Sequence, residues 1–97
     1  MPATVHVVAR FVAKAGKEQA LKSVLNALIA PTRRELGCYQ YDLLENPNDP
    51  RDFCFVERWQ HTKSVDEHAE SIHVKQALKD VESLVEAPPD IRRYQQI

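Results

Sequence analysis

The spacing of apolar residues switches several times along this 97-residue chain, and the order of the switches leaves few folds open. A period of two marks a strand, because successive side chains face opposite ways. A period near 3.6 marks a helix, whose residues return to one face every three or four positions. From Thr4 to Ala13, Val5, Val7, Ala9 and Phe11 alternate with His6, Val8, Arg10 and Val12. After Gly16, Leu21, Val24, Leu25, Leu28 and Ile29 recur at helical spacing, with Glu18 near one end and Arg33 and Arg34 near the other, as the helix dipole favours. Pro31 lacks an amide proton and crowds the preceding turn. The expectation is therefore one helix, kinked at Pro31 and continuing to about Glu35, with Gly37 as its left-handed C-terminal residue.

Cys38 to Glu45 alternates again, Asn46 to Asp52 is turn chemistry throughout, and Phe53 to Gln60 alternates a third time. Folding these two strands about the loop sets Leu43 near Phe55, Tyr41 near Glu57 and Tyr39 near Trp59. Ser64-x-x-Glu67 resembles a capping box opening a short helix. Val74, Ala77, Leu78, Val81, Leu84 and Val85 then form a longer helical stripe, which Ala87-Pro88-Pro89-Asp90 ends before a last strand over Ile91 to Gln96. Strand, helix, strand, strand, two-part helix, strand is the split βαβ order of an α+β, ferredoxin-like domain: a four-stranded antiparallel sheet with its helices on one face. The length suits one domain, residues 1–97. Val8 and Val12 make the second face of the first strand more apolar than a wetted face needs, so a partner subunit is expected over it.

The net charge of −1 gives no electrostatic case for nucleic acid or an anionic membrane. Basic residues are mixed with acids, with no run longer than Arg33-Arg34 or Arg92-Arg93. The start, Met1-Pro2-Ala3-Thr4, lacks the regions of a signal peptide, and no stretch is long and apolar enough to span a bilayer; the expectation is a cytoplasmic protein. Cys38 and Cys54 fall far apart along adjacent strands, too distant for a disulfide, and neither has metal-ligand spacing.

Chemistry concentrates between Phe53 and His73. Phe55, Glu57 and Trp59 share one strand face, and a carboxylate between two large aromatics must be paired or face a polar cavity. An arginine such as Arg34 or Arg10 is one candidate partner. His68 and His73 follow on the helical segment, five residues apart. On one unbroken helix they would point roughly 140° apart. They converge only if the helix breaks near Ala69 to Ser71. A helical two-His metal site favours i, i+4 spacing, so no metal is expected at this pair. His6 and His61 read as edge or surface residues.

The chain resembles the antibiotic biosynthesis monooxygenase domain over nearly its whole length. The resemblance rests on Gly16, on Leu28-Ile29-Ala30-Pro31-Thr32-Arg33, on Glu35-x-Gly37-Cys38 followed by Tyr41, on Phe55-x-Glu57-x-Trp59, and on His68 with His73. Leu36 stands where the family commonly has Pro. The resemblance implies a dimeric α/β barrel, a homodimer packed through its sheet faces. It implies one of several chemistries: cofactor-independent oxygenation of quinols or phenols, haem degradation, or isomerisation of a phosphorylated hydroxyketone. The haem branch uses an Asn in the first strand, absent here, and a Trp about where His68 stands. The expectation is a monooxygenase of a small quinol- or phenol-like aromatic with no cofactor. The alternatives are the isomerase and a non-catalytic dimeric binding module. Both reactions need a proton removed in a cavity that excludes water. His68 is the first choice of base, with His73, Glu57 and Tyr41 assisting, and Trp59, Phe55 and Tyr39 lining a pocket for a planar substrate.

Overall fold

Strand β1 (Val5–Val12) is the hub of the sheet in the computed structural model, which describes residues 4–97. Met1 to Ala3, where the reading of no signal peptide begins, lie outside the described residues. Helices α1 (Glu18–Asn26) and α2 (Ile29–Arg33) lead to β2 (Cys38–Asn46) and β3 (Asp49–Trp59). Helices α3 (Thr62–Ala69) and α4 (Ile72–Val81) then precede β4 (Asp90–Gln95). β1 lies between β3 and β4, β2 is outside β3, and every pairing is antiparallel. This is the expected α+β, ferredoxin-like architecture. Among the described residues, no helix is long and apolar enough to cross a membrane.

The expected alternation holds in β1 and β3. Val7, Ala9 and Phe11 of β1 and Phe53, Phe55, Glu57 and Trp59 of β3 are buried on the helix-covered face, while Val8 and Arg10 on the opposite face are exposed. Leu21 and Leu25 of α1 and Val81 of α4 pack into the same core. A fully buried Leu or Phe contributes about 1.5–3 kcal/mol, so these few contacts carry much of the stability of so short a chain. The registers place Tyr41 opposite Glu57, Glu57 opposite Val7, and Val7 opposite Arg93. Those four residues form one row across the inner face of the sheet.

The local expectations that fail do so for identifiable reasons. The helix does not run through Pro31. It stops at Asn26, and α2 begins at Ile29, so Pro31 falls in the first turn of a new helix, where its missing amide costs nothing. The expected loop over residues 46–52 is shorter, leaving only Pro47 and Asn48 between β2 and β3. The Asn46 side chain accepts a hydrogen bond from the Asn48 amide at 2.9 Å and so makes the turn locally. The capping box is displaced: the helix starts at Thr62, and the His61 imidazole, not Ser64, caps it by accepting from the Ser64 amide. Finally, α4 ends at Val81. The chain beyond it bonds back to the end of β1, with the Lys14 amide on the Leu84 carbonyl and the Glu86 amide on the Val12 carbonyl, both at 2.9 Å.

Candidate active site

β3 presents Glu57 and Trp59 inward two residues apart, and the Trp59 indole N–H donates to Glu57 Oε1 at 2.9 Å. Glu57 is 4% exposed, and among the described residues no arginine pairs with it. Arg10 bonds Asp52 on the outer face instead. Burial drives the Glu57 pKa up to about 7; the Trp59 hydrogen bond holds it back, and the charge of Glu35 adds to the rise. Tyr41, opposite Glu57 on β2, stacks on Phe55 with ring centroids 4.5 Å apart. Its pKa is raised strongly, first by burial and next by the Glu57 charge, so its hydroxyl stays protonated and can donate.

The helical segment breaks where convergence of the two imidazoles requires it. α3 ends at Ala69, and Ser71 adopts an extended conformation as the N-cap of α4. Its hydroxyl donates to the His68 carbonyl at 2.7 Å and accepts from the Val74 amide, stitching the two helix ends together. The break brings His68 and His73 to ring centroids 6.2 Å apart. Between them sits Glu35, from the loop after α2, with Oε2 2.6 Å from His68 Nδ1 and Oε1 3.4 Å from His73 Nε2.

His68 is 9% exposed and packs against Trp59 with centroids 4.6 Å apart. Burial lowers its pKa, and the hydrogen bond and charge of Glu35 partly restore it. A neutral imidazole whose Nδ1–H donates to Glu35 has Nε2 unprotonated, the form that can accept a proton.

His68 also lines a cavity of about 110 Å³ between helices and sheet, walled chiefly by apolar side chains such as Phe11, Leu25, Val74 and Leu78. Its polar groups are few: Tyr41, Glu57, His68 and Arg93. Phe55 is in the wall as expected. Trp59 is fully buried outside the lining, where it orients Glu57 and backs His68. His73 is outside the lining and joins the group through Glu35 and through its ring contact with His68.

Tyr39 is not brought to the site. A bulge between Cys38 and Gln40 pairs Cys38, not Tyr39, with Trp59. Tyr39 is half exposed, its ring under the Arg58 guanidinium at 5.3 Å, on the face away from the cavity. The sequence does not single out two participants: Glu35 stands in it as the expected helix end and as part of a motif, and Arg93 as one of a pair of arginines. The liganding atoms of Glu35, His68 and His73 lie within 4.8 Å of one another. A metal ion among them would have to open the 2.6 Å contact and take the place of its proton.

The profile of the family described as antibiotic biosynthesis monooxygenase matches residues 4–80. The Mycobacterium tuberculosis protein Rv0793, provisionally named a monooxygenase, is 36% identical over 88 residues, covering 91% of this chain and 86% of the relative. The solved structure of Rv0793 superposes with a TM-score of 0.92 at 32% identity, covering 98% of this chain and 96% of the other. Protein SO0527 from Shewanella oneidensis superposes with a TM-score of 0.93 at 34% identity, covering 99% and 93%.

Proposed function

Because the chain belongs to the antibiotic biosynthesis monooxygenase family, we propose that it is a monooxygenase of a small quinol- or phenol-like aromatic, working without metal or flavin and with His68 as its base. One observation carries this reading. A buried imidazole, its Nδ1 held by Glu35 at 2.6 Å, lines an apolar cavity that also holds the Glu57 carboxyl.

The geometry supports the following roles. His68 Nε2 takes the phenolic proton, giving an electron-rich phenolate in a site with little water to stabilise it. Molecular oxygen, the oxidant, takes up electrons from the ring and bonds to a ring carbon beside the phenolate oxygen. Glu57, with a pKa of about 7, is protonated in a large share of molecules near neutral pH and gives its proton to the peroxide. Loss of the proton on that ring carbon, with cleavage of the O–O bond, leaves a carbonyl and releases water. One oxygen atom enters the product and the other leaves as water, so a quinol becomes a hydroxylated quinone. Tyr41 donates to the developing anion, and His73 with Glu35 steadies the base.

The same reading pairs two copies through the outer sheet face, where Val8, Leu44 and Tyr94 are exposed. Sedimentation equilibrium should then return twice the 11.1 kDa chain mass.

Oxygen uptake with small quinols tests the reaction. The wild-type protein should consume oxygen and form the hydroxylated quinone. His68→Asn should lose at least 100-fold in rate while keeping its circular dichroism, as expected of a general base. Wild-type rates in that variant, or turnover that continues under nitrogen, would overturn the proposal.

A further inference from the structure

The cavity has a polar group at its far side that the oxygenation chemistry does not use. Arg93 lies on β4 in the same cross-sheet row as Glu57, separated from it by Val7. Strands are spaced about 4.8 Å apart, so the two positions are roughly 10 Å apart along the sheet floor. Both line the one cavity, together with His68. At one end of that floor are the proton-transferring groups, at the middle a valine, and at the other end a fixed cation. An aromatic ring resting on Val7 with a hydroxyl at the Glu57 end would carry its opposite edge toward the guanidinium.

Arg93 has a companion in the structure. Its Nη2 is 2.8 Å from Oδ1 of Asp66 on α3, across the space between β4 and the helices. Both side chains are largely exposed, at 42% and 60%. Such a pair contributes little to stability, so it opens at small cost when another anion arrives. A carboxylate on the ligand would meet a planar five-donor fork that binds it with two parallel hydrogen bonds, an interaction a neutral group of the same shape cannot match.

We infer that Arg93 is a specificity-determining residue and that the ligand class is a dihydroxylated aromatic bearing a carboxylate on the ring edge opposite the reacting hydroxyl, with Asp66 as the internal anion it displaces. The inference rests on the oxygenase reading for the hydroxylated end of the ligand. The Arg93 end stands on the cavity and the strand register.

Calorimetric binding of 3,4-dihydroxybenzoate, whose 4-hydroxyl lies opposite the carboxylate, and of its neutral isostere 3,4-dihydroxybenzamide tests it without any turnover. The acid should bind at least 10-fold more tightly than the amide in the wild type. Arg93→Gln should abolish that preference, with the acid losing at least 10-fold more affinity than the amide. Arg93→Lys should recover part of it, and Asp66→Asn should tighten the acid alone by severalfold. Equal affinity for acid and amide, a preference that survives Arg93→Gln, or no binding of either compound would overturn the inference. Oxygen uptake is read separately. Tight, Arg93-dependent binding of the acid without oxygen consumption would retain the anion site and reject the reaction. Oxygen consumption with no acid preference would do the reverse.

Discussion

Trp59 donates its indole N–H to Glu57 from two positions further along β3, at 2.9 Å. Residues two apart on a strand share a face, so the donor and acceptor are held together by the backbone itself. Among the described residues, no lysine or arginine forms an ion pair with Glu57. A single neutral donor offsets only part of the cost of burying a carboxylate. The result is an acid with a pKa of about 7, able to hold or release a proton near neutral pH.

That raised pKa makes a stability prediction. In the unfolded chain Glu57 ionises near its ordinary value of 4.5, whereas in the folded chain it keeps its proton until about 7. Between those values the folded state binds the extra proton, so this group's stabilising contribution is full below pH 4.5 and is lost as pH rises through 7. The full swing is on the order of 3 kcal/mol. Urea denaturation at pH 5 and pH 8 should show it in the wild type. Glu57→Gln, which cannot ionise, should remove this part of the pH dependence, and the wild type and variant should differ more at one pH than the other. Parallel pH profiles for the two proteins would contradict a buried, titrating Glu57.

Gly37 offers a test of how tightly the loop carrying Glu35 is fitted to α3. Its φ is +85°, and a Cβ there would collide with the Ser64 hydroxyl and lie 3.0 Å from Ser64 Cβ. Gly16 has a similar φ of +83° but open space around it. Gly16→Ala should therefore lose only the backbone cost, about 1 kcal/mol. Gly37→Ala should lose that plus the displacement of α3, about 2–4 kcal/mol in all. Urea midpoints for the two variants measure the difference directly, and equal losses would show that the loop yields freely.

The alternating and helical periods of the sequence carry the fold because each strand and helix buries one continuous face, which spacing alone reveals. The pairing of Tyr41 with Glu57 is legible for a related reason: Asn46 to Asp49 makes a turn that pins the hairpin. Tyr39 is misplaced because one bulged residue flips a side chain to the other face, and composition carries no trace of such a slip. Pro31 has its effect earlier than expected because a proline disrupts the bond to the carbonyl four residues before it, at Ala27, and the helix gives way there. Glu35 and His68 are 33 positions apart, and only the packing of the loop after α2 against α3 joins them. Arg93 depends on the register of β4 against β1, which no local residue sets.

The Glu35–His68 contact makes the last prediction, which concerns the acid side of catalysis. Burial lowers the His68 pKa below its usual 6.5, while the Glu35 hydrogen bond and charge pull it back up. If His68 is the base, kcat/KM for a quinol rises with pH as His68 loses its proton, and this limb lies below pH 6.5. If protonated Glu57 is the acid, the rate falls again as pH passes about 7, giving a bell with its optimum just under neutrality. Glu35→Gln removes the charge that supports the imidazolium, so the acid limb should move to still lower pH. The ring would also lose its fixed orientation, and the maximal rate should fall by about 100-fold. The alkaline limb should move far less, because Glu35 is the smallest of the influences on Glu57. Rate measurements from pH 4.5 to 9 on both proteins decide the matter: an unmoved acid limb in Glu35→Gln would mean that His68 is not the group titrating there, and a lowered rate alone would not rescue its assignment as the base.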